Sequence, residues 1–441
     1  MGDIVDFLSI RASNRLDAEF FSPSFLKIYN KLKNKNHTRL HDLCEFIRSG
    51  PAGSVLRSSL YVFSGIKMYR PSNLNNWTCE NGSIVYVSRE YCRERKLLVC
   101  HYGDVLAARV GDIKLGIVQN DNSTISPNLI VIRTKKGLLD PYFLLAFLNH
   151  EDGFAQIQRG SKRVSLASVT TSHLEEILVP QVLFSTQRKI GSLIKKALES
   201  EEKGKMFYKK AQVLLMRTIK FKSFKENRSA KVFYLSNLHQ MKRADAEFFI
   251  FKQENKDQIK TVILGQIAKI SRGIEPGRSE YKASGKLFLR ASNIDKFGLI
   301  DKSQKFISSK LYEKLSKKYQ PRVGEILFVK DGKPGVACLI REPLTGIISE
   351  SIVRIILDQS VSPEYVFLCI NSPFCQQQIL IDKDGTLQPH LKVNRIEELR
   401  MPIVGEDVQE EISKLIKDSY VNFNESKEYL KESIDLFDLI Y

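Results

Sequence analysis

The chain has 441 residues, of which 43% are hydrophobic and 27% are charged. This length exceeds what a single hydrophobic core usually supports, so we expect at least two domains. No apolar run approaches the roughly 18 residues that a membrane-spanning helix needs. The formal net charge is +18 and the pI is about 9.4, which makes a polyanion the first partner to consider.

The start of the chain does not resemble a secretory signal, because acidic residues precede its short apolar stretch and no small-residue cleavage site follows. The seven cysteines are odd in number and irregularly spaced, which favours reduced thiols over a disulfide framework. We therefore expect a cytoplasmic protein without a membrane segment.

In each half of the chain, short strand-like runs precede one long helical stretch. The first half opens with RLDAEFF at 15–21, continues through DVLAARV and LIVIR between Gly, Pro and Asn, and turns helical after Pro180. The second half opens with RADAEFF at 243–249, continues through EILFVK and SIVRIIL, and turns helical after Pro402. The predicted order is a mixed α/β domain at 1–182, a long helix at 183–225, a second mixed α/β domain at 226–404 and a second long helix at 405–441.

The two halves are copies of one module, because matched segments keep the same order at an offset that drifts only between 221 and 228 residues. A period this long indicates a duplicated domain and not a solenoid repeat. The matched segments are YGDVLAARVGD (102–112) with VGEILFVKDGK (323–333), SPNLIVIR (126–133) with SESIVRII (349–356), PYFLLAFLN (141–149) with PEYVFLCIN (363–371), LEEILVP (174–180) with IEELRMP (396–402), and TQRKIGSLIKKAL (186–198) with VQEEISKLIKDSY (408–420).

The two long helices carry matching seams, in which a small residue recurs every seventh position with mostly large residues between. Seam steps that alternate between four and three are typical of a coiled coil. Residues 186–221 hold ten basic and three acidic side chains, whereas 408–441 hold four basic and eight acidic. We therefore expect the helices to pair as an antiparallel coiled coil, so that the chain is pseudo-twofold with a domain at each end of a rod about 50 Å long. The alternative is that each amphipathic helix lies on its own domain. The residues predicted to pair are Ile194, Ala197, Gly204, Tyr208, Ala211, Leu215, Ile416, Ser419, Phe423, Ser426, Leu430, Ser433 and Phe437.

Together with FLRASNID at 288–295, the duplicated heptapeptide and the other matched segments resemble the specificity subunits of type I restriction-modification systems. The resemblance covers nearly the entire chain, twice over. It implies two target-recognition domains that each read one half of a split DNA sequence, and spacer helices that set the distance between the halves. It also implies docking of two adenine-methyltransferase subunits, which would bring S-adenosylmethionine, and assembly with restriction/translocase subunits.

The physical reading of the sequence agrees with this role, since two basic domains held a fixed distance apart can contact two major grooves of one duplex. The halves differ most between residues 50 and 100 and between 272 and 322, where readers of unlike half-sites must differ. Arginine can read guanine and asparagine can read adenine, whereas lysine mostly meets phosphate. The candidate DNA-binding residues are Arg57, Arg70, Arg89, Arg93 and Arg95 in the first window and Arg272, Arg278, Lys282, Arg290 and Asn293 in the second.

Each candidate has a less specific alternative. Any one arginine can be solvated or can contact phosphate alone, because phosphate and sugar take half to two-thirds of protein–DNA hydrogen bonds. Asn293 can cap the turn before Asp295. In the two heptapeptides, we interpret the paired phenylalanines as core anchors. Asp17 and Asp245 are expected to cap a turn or to pair with the preceding arginines. The alternative is that the heptapeptides form a docking surface for partner subunits.

Signatures of catalysis are missing from the sequence. There is no G-x-x-x-x-G-K-[ST] loop, and no Asn-Pro-Pro-aromatic or Asp-Pro-Pro-aromatic tetrad that would hold a flipped base. His37, His41 and Cys44 have ligand-like spacing, but no C-x-x-C pair completes a zinc site. We expect a non-catalytic chain with no metal and no cofactor of its own. The alternatives are the specificity subunit of a type IIB-like enzyme, a stand-alone DNA-modifying enzyme, and a helical scaffold that never meets DNA.

Overall fold

The computed structural model describes residues 18–80, 82–163, 167–221, 259–301, 303–382 and 389–440. The chain forms two compact units, of which unit 1 comprises residues up to Glu201 and those from Asn424 onwards, and unit 2 comprises Glu202–Phe423. Asp17, Arg15 and the whole second heptapeptide, with its Asp245, lie outside the described residues.

Unit 1 combines short strands with helices and 3-10 turns. Its strands are β1 (His37–Arg39), β2 (Cys44–Ser49), β3 (Tyr61–Val62), β4 (Ile66–Tyr69), β5 (Val85–Val87), β6 (Val105–Ala108), β7 (Leu115–Ile117), β8 (Ser123–Ile125), β9 (Leu129–Thr134), β10 (Lys162–Arg163), β11 (Ala167–Ser168) and β12 (Leu178–Pro180). Its helices are α1 (Pro23–Lys33), α2 (Leu40–Leu43), α3 (Arg89–Glu94), α4 (Pro141–Asn149), α5 (Glu151–Gly160), α6 (Thr171–Glu175) and the first part of α7 (Phe184–Thr218). The 3-10 turns are Ala18–Phe21, Ser58–Leu60 and Pro71–Asn73.

The central sheet of unit 1 is antiparallel in the order β2-β9-β6-β7, and a second sheet has the order β3-β5-β4-β8 with β4 and β8 parallel. Side chains of a strand alternate between the two faces of a sheet. In β6, Val105 and Ala107 join the core that contains α4, whereas Leu106 and Ala108 join a second core on the opposite face. Burial on both faces explains why these strands read as continuous apolar runs and not as alternating ones.

Unit 2 repeats this organisation. Its strands are β13 (Thr261–Ile263), β14 (Ala268–Arg272), β15 (Lys286–Leu289), β16 (Ile294–Asp295), β17 (Gly298–Leu299), β18 (Lys305–Ile307), β19 (Ile326–Val329), β20 (Ala337–Leu339), β21 (Gly346–Ile348), β22 (Ile352–Leu357) and β23 (Arg400–Pro402). Its helices are α8 (Leu264–Ile267), α9 (Ser309–Tyr319), α10 (Pro363–Asn371), α11 (Pro373–Asp382), α12 (Val393–Glu397) and the first part of α13 (Glu406–Ile440), with 3-10 turns at Arg278–Glu280 and Ala291–Asn293.

The central sheet of unit 2 has the order β14-β22-β19-β20, which is the order of the central sheet in unit 1 element for element. Its register also corresponds: Phe328 lies opposite Val353 in unit 2, as Ala107 lies opposite Ile130 in unit 1. Another parallel pair joins β15 to β21, at the place that β4 and β8 take in unit 1. The mixed α/β fold predicted from the sequence is therefore confirmed.

Each long helix contributes side chains to the cores of both units. In unit 1, Ile194 of α7 and Phe437 of α13 belong to the core that contains α4. In unit 2, Leu215 of α7 and Ile416 of α13 belong to the core that contains α10. All the side chains predicted to pair are buried except Leu430, which is half-buried.

Within the residues that the structure describes, none of the helices is both long and apolar enough to cross a membrane. In the first heptapeptide, Phe21 is buried, and the Arg159 guanidinium lies over the Phe20 ring at 4.0 Å from its centroid. The division of the chain at residues 182, 225 and 404 stays a prediction.

Candidate nucleic-acid interface

A 3-10 turn in unit 1 is held by Arg70 and Asn73, which the second sheet positions at the end of β4. The backbone N–H of Arg70 donates to Asn73 Oδ1 at 2.9 Å, and Asn73 Nδ2 donates to the carbonyl oxygen of Ser83 at 3.2 Å. Arg70 Nη2 donates to the same carbonyl oxygen at 2.9 Å. The Arg70 guanidinium is therefore committed in part to bracing the turn.

Unit 2 contains a corresponding brace, in which the arginine and the asparagine donate to two different carbonyl oxygens. The backbone N–H of Arg290 donates to Asn293 Oδ1 at 3.1 Å, and Arg290 Nη2 donates to the carbonyl oxygen of Ser303 at 2.6 Å. Asn293 Nδ2 donates to the carbonyl oxygen of Ile300 at 3.1 Å, and the residue is 0% exposed. A buried amide with both ends bonded to backbone cannot present itself to adenine, so the structure places Asn293 in the structural role that the capping alternative described.

The remaining candidates from the sequence are exposed on their own units. Ser88 accepts a hydrogen bond from the backbone N–H of Tyr91 and so begins α3, the helix that carries Arg89 and Arg93, and the Arg95 guanidinium that follows lies 5.7 Å from the Tyr91 ring centroid. The exposed candidates are Arg57, Arg89, Arg93, Arg95, Arg272, Arg278 and Lys282.

A cleft of about 830 Å³ opens in unit 1 where several loops meet at the end of the central sheet. Arg70 lines it, whereas the other four candidates of the first window do not. Arg109, at the end of β6, is exposed in the cleft, and its backbone hydrogen bonds to the backbones of Asn128 and Val169, each at 2.8 Å. Ser168 completes this edge. We call Arg109, Val110, Asn128 and Ser168 the cleft edge of unit 1.

A close approach of two backbones shapes the floor of the cleft. A Cβ atom on Gly50 would lie 2.2 Å from the carbonyl oxygen of Ser126, so only glycine fits. The counterpart in unit 2 is Gly273, where a Cβ would lie 2.0 Å from the carbonyl oxygen of Ser349. Both units thus need glycine at the same place for the same steric reason.

The corresponding edge of unit 2 has the same backbone and different side chains. The backbone N–H of Lys330 donates to the carbonyl oxygen of Ser351 at 2.9 Å, as that of Arg109 donates to Asn128. Asp331 and His390 form an isolated antiparallel bridge, as Val110 and Ser168 do in unit 1. We call Lys330, Asp331, Ser351 and His390 the cleft edge of unit 2, after their counterparts in unit 1.

An ion pair with a buried carboxylate stiffens the central sheet of each unit beneath its edge. Arg133 on β9 makes two hydrogen bonds to the Asp104 carboxylate, at 2.8 and 2.7 Å, and these bonds raise the pKa of the guanidinium. Arg354 on β22 makes two to Glu325, at 2.7 and 2.6 Å. Two-point pairs of this kind fix geometry as well as charge.

Comparison with known proteins bears on the function of these two edges. Residues 256–436 match the model of the type I restriction modification DNA specificity domain. This part of the chain, which is less than half of it, is therefore similar to the type I DNA specificity family. The match confirms the resemblance to type I specificity subunits that the repeated motifs predicted.

Solved structures of such subunits also align with the chain at low similarity. The S subunit of a type I system from M. genitalium is 13% identical, with 92% of this chain and 94% of that chain covered and a TM-score of 0.43. The HsdS subunit from Thermoanaerobacter tengcongensis is 13% identical over 91% and 95%, with a TM-score of 0.31. A structure of type I complex assembly is 14% identical over 92% and 95%, also with a TM-score of 0.31. These scores support no argument about this chain, and no curated protein matches its sequence.

The cleft edges of the two units were not among the residues proposed from the sequence. The two windows chosen for their divergence, 50–100 and 272–322, exclude every residue of them. A signal was nevertheless present, because aligning 102–112 with 323–333 places Arg109 over Lys330, a basic residue at the end of a strand in both copies.

Proposed function

We propose that this chain is the DNA-binding specificity subunit of a type I restriction-modification complex and that it reads a bipartite, asymmetric site. The observation that carries the proposal is the repetition of one scaffold. Residues 18–201, which lie outside the family match, repeat the sheet order, the strand register and the braced turn of unit 2. A second copy of a DNA specificity scaffold with different cleft-edge side chains is best explained as a reader of a different half-site.

The contacts of the long helices support antiparallel pairing, which would make the chain pseudo-twofold. In unit 1, Ser200 Oγ donates to Glu425 at 3.3 Å, and Lys196 Nζ lies 5.7 Å from the Tyr429 ring centroid. The residue numbers of the contacting pairs therefore increase along α7 as they decrease along α13. In unit 2, Ser419 Oγ donates to the carbonyl oxygen of Gly204 at 2.8 Å. Small residues at these places let backbones approach closely. We infer that the paired helices serve as the spacer between the two readers.

The partner set follows from the same proposal. We infer that the chain docks two adenine-methyltransferase subunits and assembles with restriction/translocase subunits, that S-adenosylmethionine is bound by the methyltransferases, and that the complex works in the cytoplasm. The chain itself is proposed to be non-catalytic. Its net charge of +18 supports a phosphate-rich partner, since basic surfaces dominate salt-dependent binding to DNA.

Sequencing of methylated bases tests the proposal directly. We expect a host that carries the complete gene set to methylate a split motif with two unlike halves, and the same host without this chain to lose that motif. A continuous palindrome would contradict the bipartite reading. Methyl transfer or DNA cleavage by the purified chain alone would contradict a non-catalytic role.

A further inference from the structure

Three charged or titratable side chains converge at the cleft edge of unit 2. Lys330 Nζ donates to Asp331 Oδ2 at 2.6 Å, and His390 Nδ1 is hydrogen bonded to Asp331 Oδ1. Lys330 is only 7% exposed, whereas the side chain of His390 is 42% exposed. One carboxylate therefore holds a lysine in the interior and a histidine ring at the surface.

The hydrogen bond to Asp331 determines what the ring offers to a ligand. An ionised carboxylate only accepts hydrogen bonds, so the Nδ1 of His390 carries the hydrogen. In the neutral ring Nε2 is then an acceptor, and none of the described residues hydrogen bonds to it. The ring thus presents an oriented acceptor at the edge of the site.

The fold does not account for these side chains. In unit 1 the same backbone bridge forms between Val110 and Ser168, neither of which is charged. The braced turn, the glycine close approach and the sheet beneath are the same in both units. Since valine and serine satisfy the structural need at this place, Asp331 and His390 are there for another reason.

We propose that His390 is a specificity-determining residue of unit 2, and that its Nε2 accepts a hydrogen bond from the exocyclic amino group of a base in the major groove. Adenine N6 and cytosine N4 are the groups that donate there. Asp331 and Lys330 are positioning residues, because they act through the ring. This inference rests on the proposed function, namely that unit 2 reads one DNA half-site.

A contact with phosphate is the competing role for His390. Phosphate oxygens accept hydrogen bonds, so a phosphate contact would need a hydrogen on Nε2 as well as on Nδ1, which only the protonated ring has. The two roles also differ in consequence, because loss of a phosphate contact weakens binding to all sequences alike, whereas loss of a base contact relaxes one position.

The test is the methylation motif of hosts that express the complete system with a His390→Ser variant, which introduces the residue found at the equivalent place in unit 1. We expect one position in one half of the motif to relax, so that preference for its base falls about tenfold or more. Asp331→Asn keeps an oxygen acceptor for Nδ1 and is expected to relax the same position less. The matched control is His41→Ser, an exposed histidine outside the cleft, which leaves the motif unchanged.

The outcomes separate this inference from the proposed function. If the wild-type system yields no split motif, the proposed function fails. If it yields one and His390→Ser leaves every position as strict as before, the inference about His390 is overturned. If His390→Ser abolishes methylation, the sequence preference of DNA binding by the assembled complex is measured instead. A complex that has lost its preference at one position of the motif supports the inference, and a complex that keeps its preference at every position overturns it. Failure of both His390→Ser and His390→Gln to assemble assigns the ring to the fold and overturns it.

Discussion

Replacement of Phe437 by alanine tests whether the end of α13 is an integral part of unit 1. The Phe437 ring is 2% exposed and lies 5.7 Å from the ring of Phe143, 5.9 Å from that of Phe147 and 4.8 Å from that of His150, measured between centroids. A phenylalanine buries roughly 150–250 Å², and burial contributes roughly 25 cal/mol per Å². Measured core replacements of this type cost about 3–5 kcal/mol, and we expect Phe437→Ala to lower the free energy of unfolding by that amount.

Chemical unfolding followed by circular dichroism measures this loss, and hydrogen exchange locates it. Amide exchange in residues 424–440 should accelerate, because the anchored helix end opens more often. The matched control is Phe63→Ala, since Phe63 is fully exposed and its removal should change stability by less than about 0.5 kcal/mol. A loss below about 1 kcal/mol for Phe437→Ala, with unchanged exchange in 424–440, would refute the packing argument and remove one support for the paired helices.

Two further substitutions and one labelling experiment test the packing of the two units. Arg354→Ala should lower the free energy of unfolding by about 3–5 kcal/mol, because Glu325 would stay buried without its partner. Asn293→Ala should cost about 1–3 kcal/mol, because the turn loses its brace and leaves buried backbone groups unbonded. Among the cysteines, Cys92 should react first with iodoacetamide at pH 8, as measured by mass spectrometry of peptides, because it is half-buried whereas the others are buried. Burial raises the pKa of the Cys369 thiol to about 12, for example, and so keeps this thiol protonated at pH 8.

Each of these outcomes has a matched comparison. Arg395→Ala breaks an exposed pair with Glu398 and should cost less than about 1 kcal/mol; an equal loss for Arg354 and Arg395 would contradict the role given to burial. Asn128→Ala removes an exposed amide and should leave stability unchanged, so an effect equal to that of Asn293→Ala would argue against the brace. Alkylation of Cys369 before Cys92 in the folded protein would show that the buried thiol is accessible.

The sequence predicted the fold well where the hydrophobic pattern lies within one continuous helix or strand. Positions such as Ile194 and Ile416 were found because a helical period is visible within a single continuous segment, and each of them is buried. The candidate site was predicted less well, because its residues come from several loops. Arg70, Arg109 and Ser168 line one cleft although 39 and 59 residues of chain separate consecutive members. Periodicity carries no information about such a convergence.

The same comparison bears on Asn293, for which the sequence left both base reading and turn capping open. In the sequence, an asparagine beside an arginine in a divergent, basic window has the composition of a reading element. In the structure, Asn73 and Asn293 occupy equivalent turns, and the Oδ1 of each accepts the backbone N–H of the arginine three residues before it, so the asparagine belongs to what the two units share. An element that is identical in both copies cannot distinguish two half-sites.

This division between shared and differing residues has a physical consequence for specificity. The braced turn, the close approach at Gly50 and Gly273, and the buried arginine–carboxylate pairs fix the backbone through interactions that are costly to lose. Of the cleft-edge side chains, Arg109 is exposed and His390 is partly exposed, whereas Lys330 is buried and has the Asp331 carboxylate as its partner. Substitutions of Arg109 and His390 can therefore alter the hydrogen-bonding groups offered to DNA at small cost in folding, so we expect them to change the motif and not the fold.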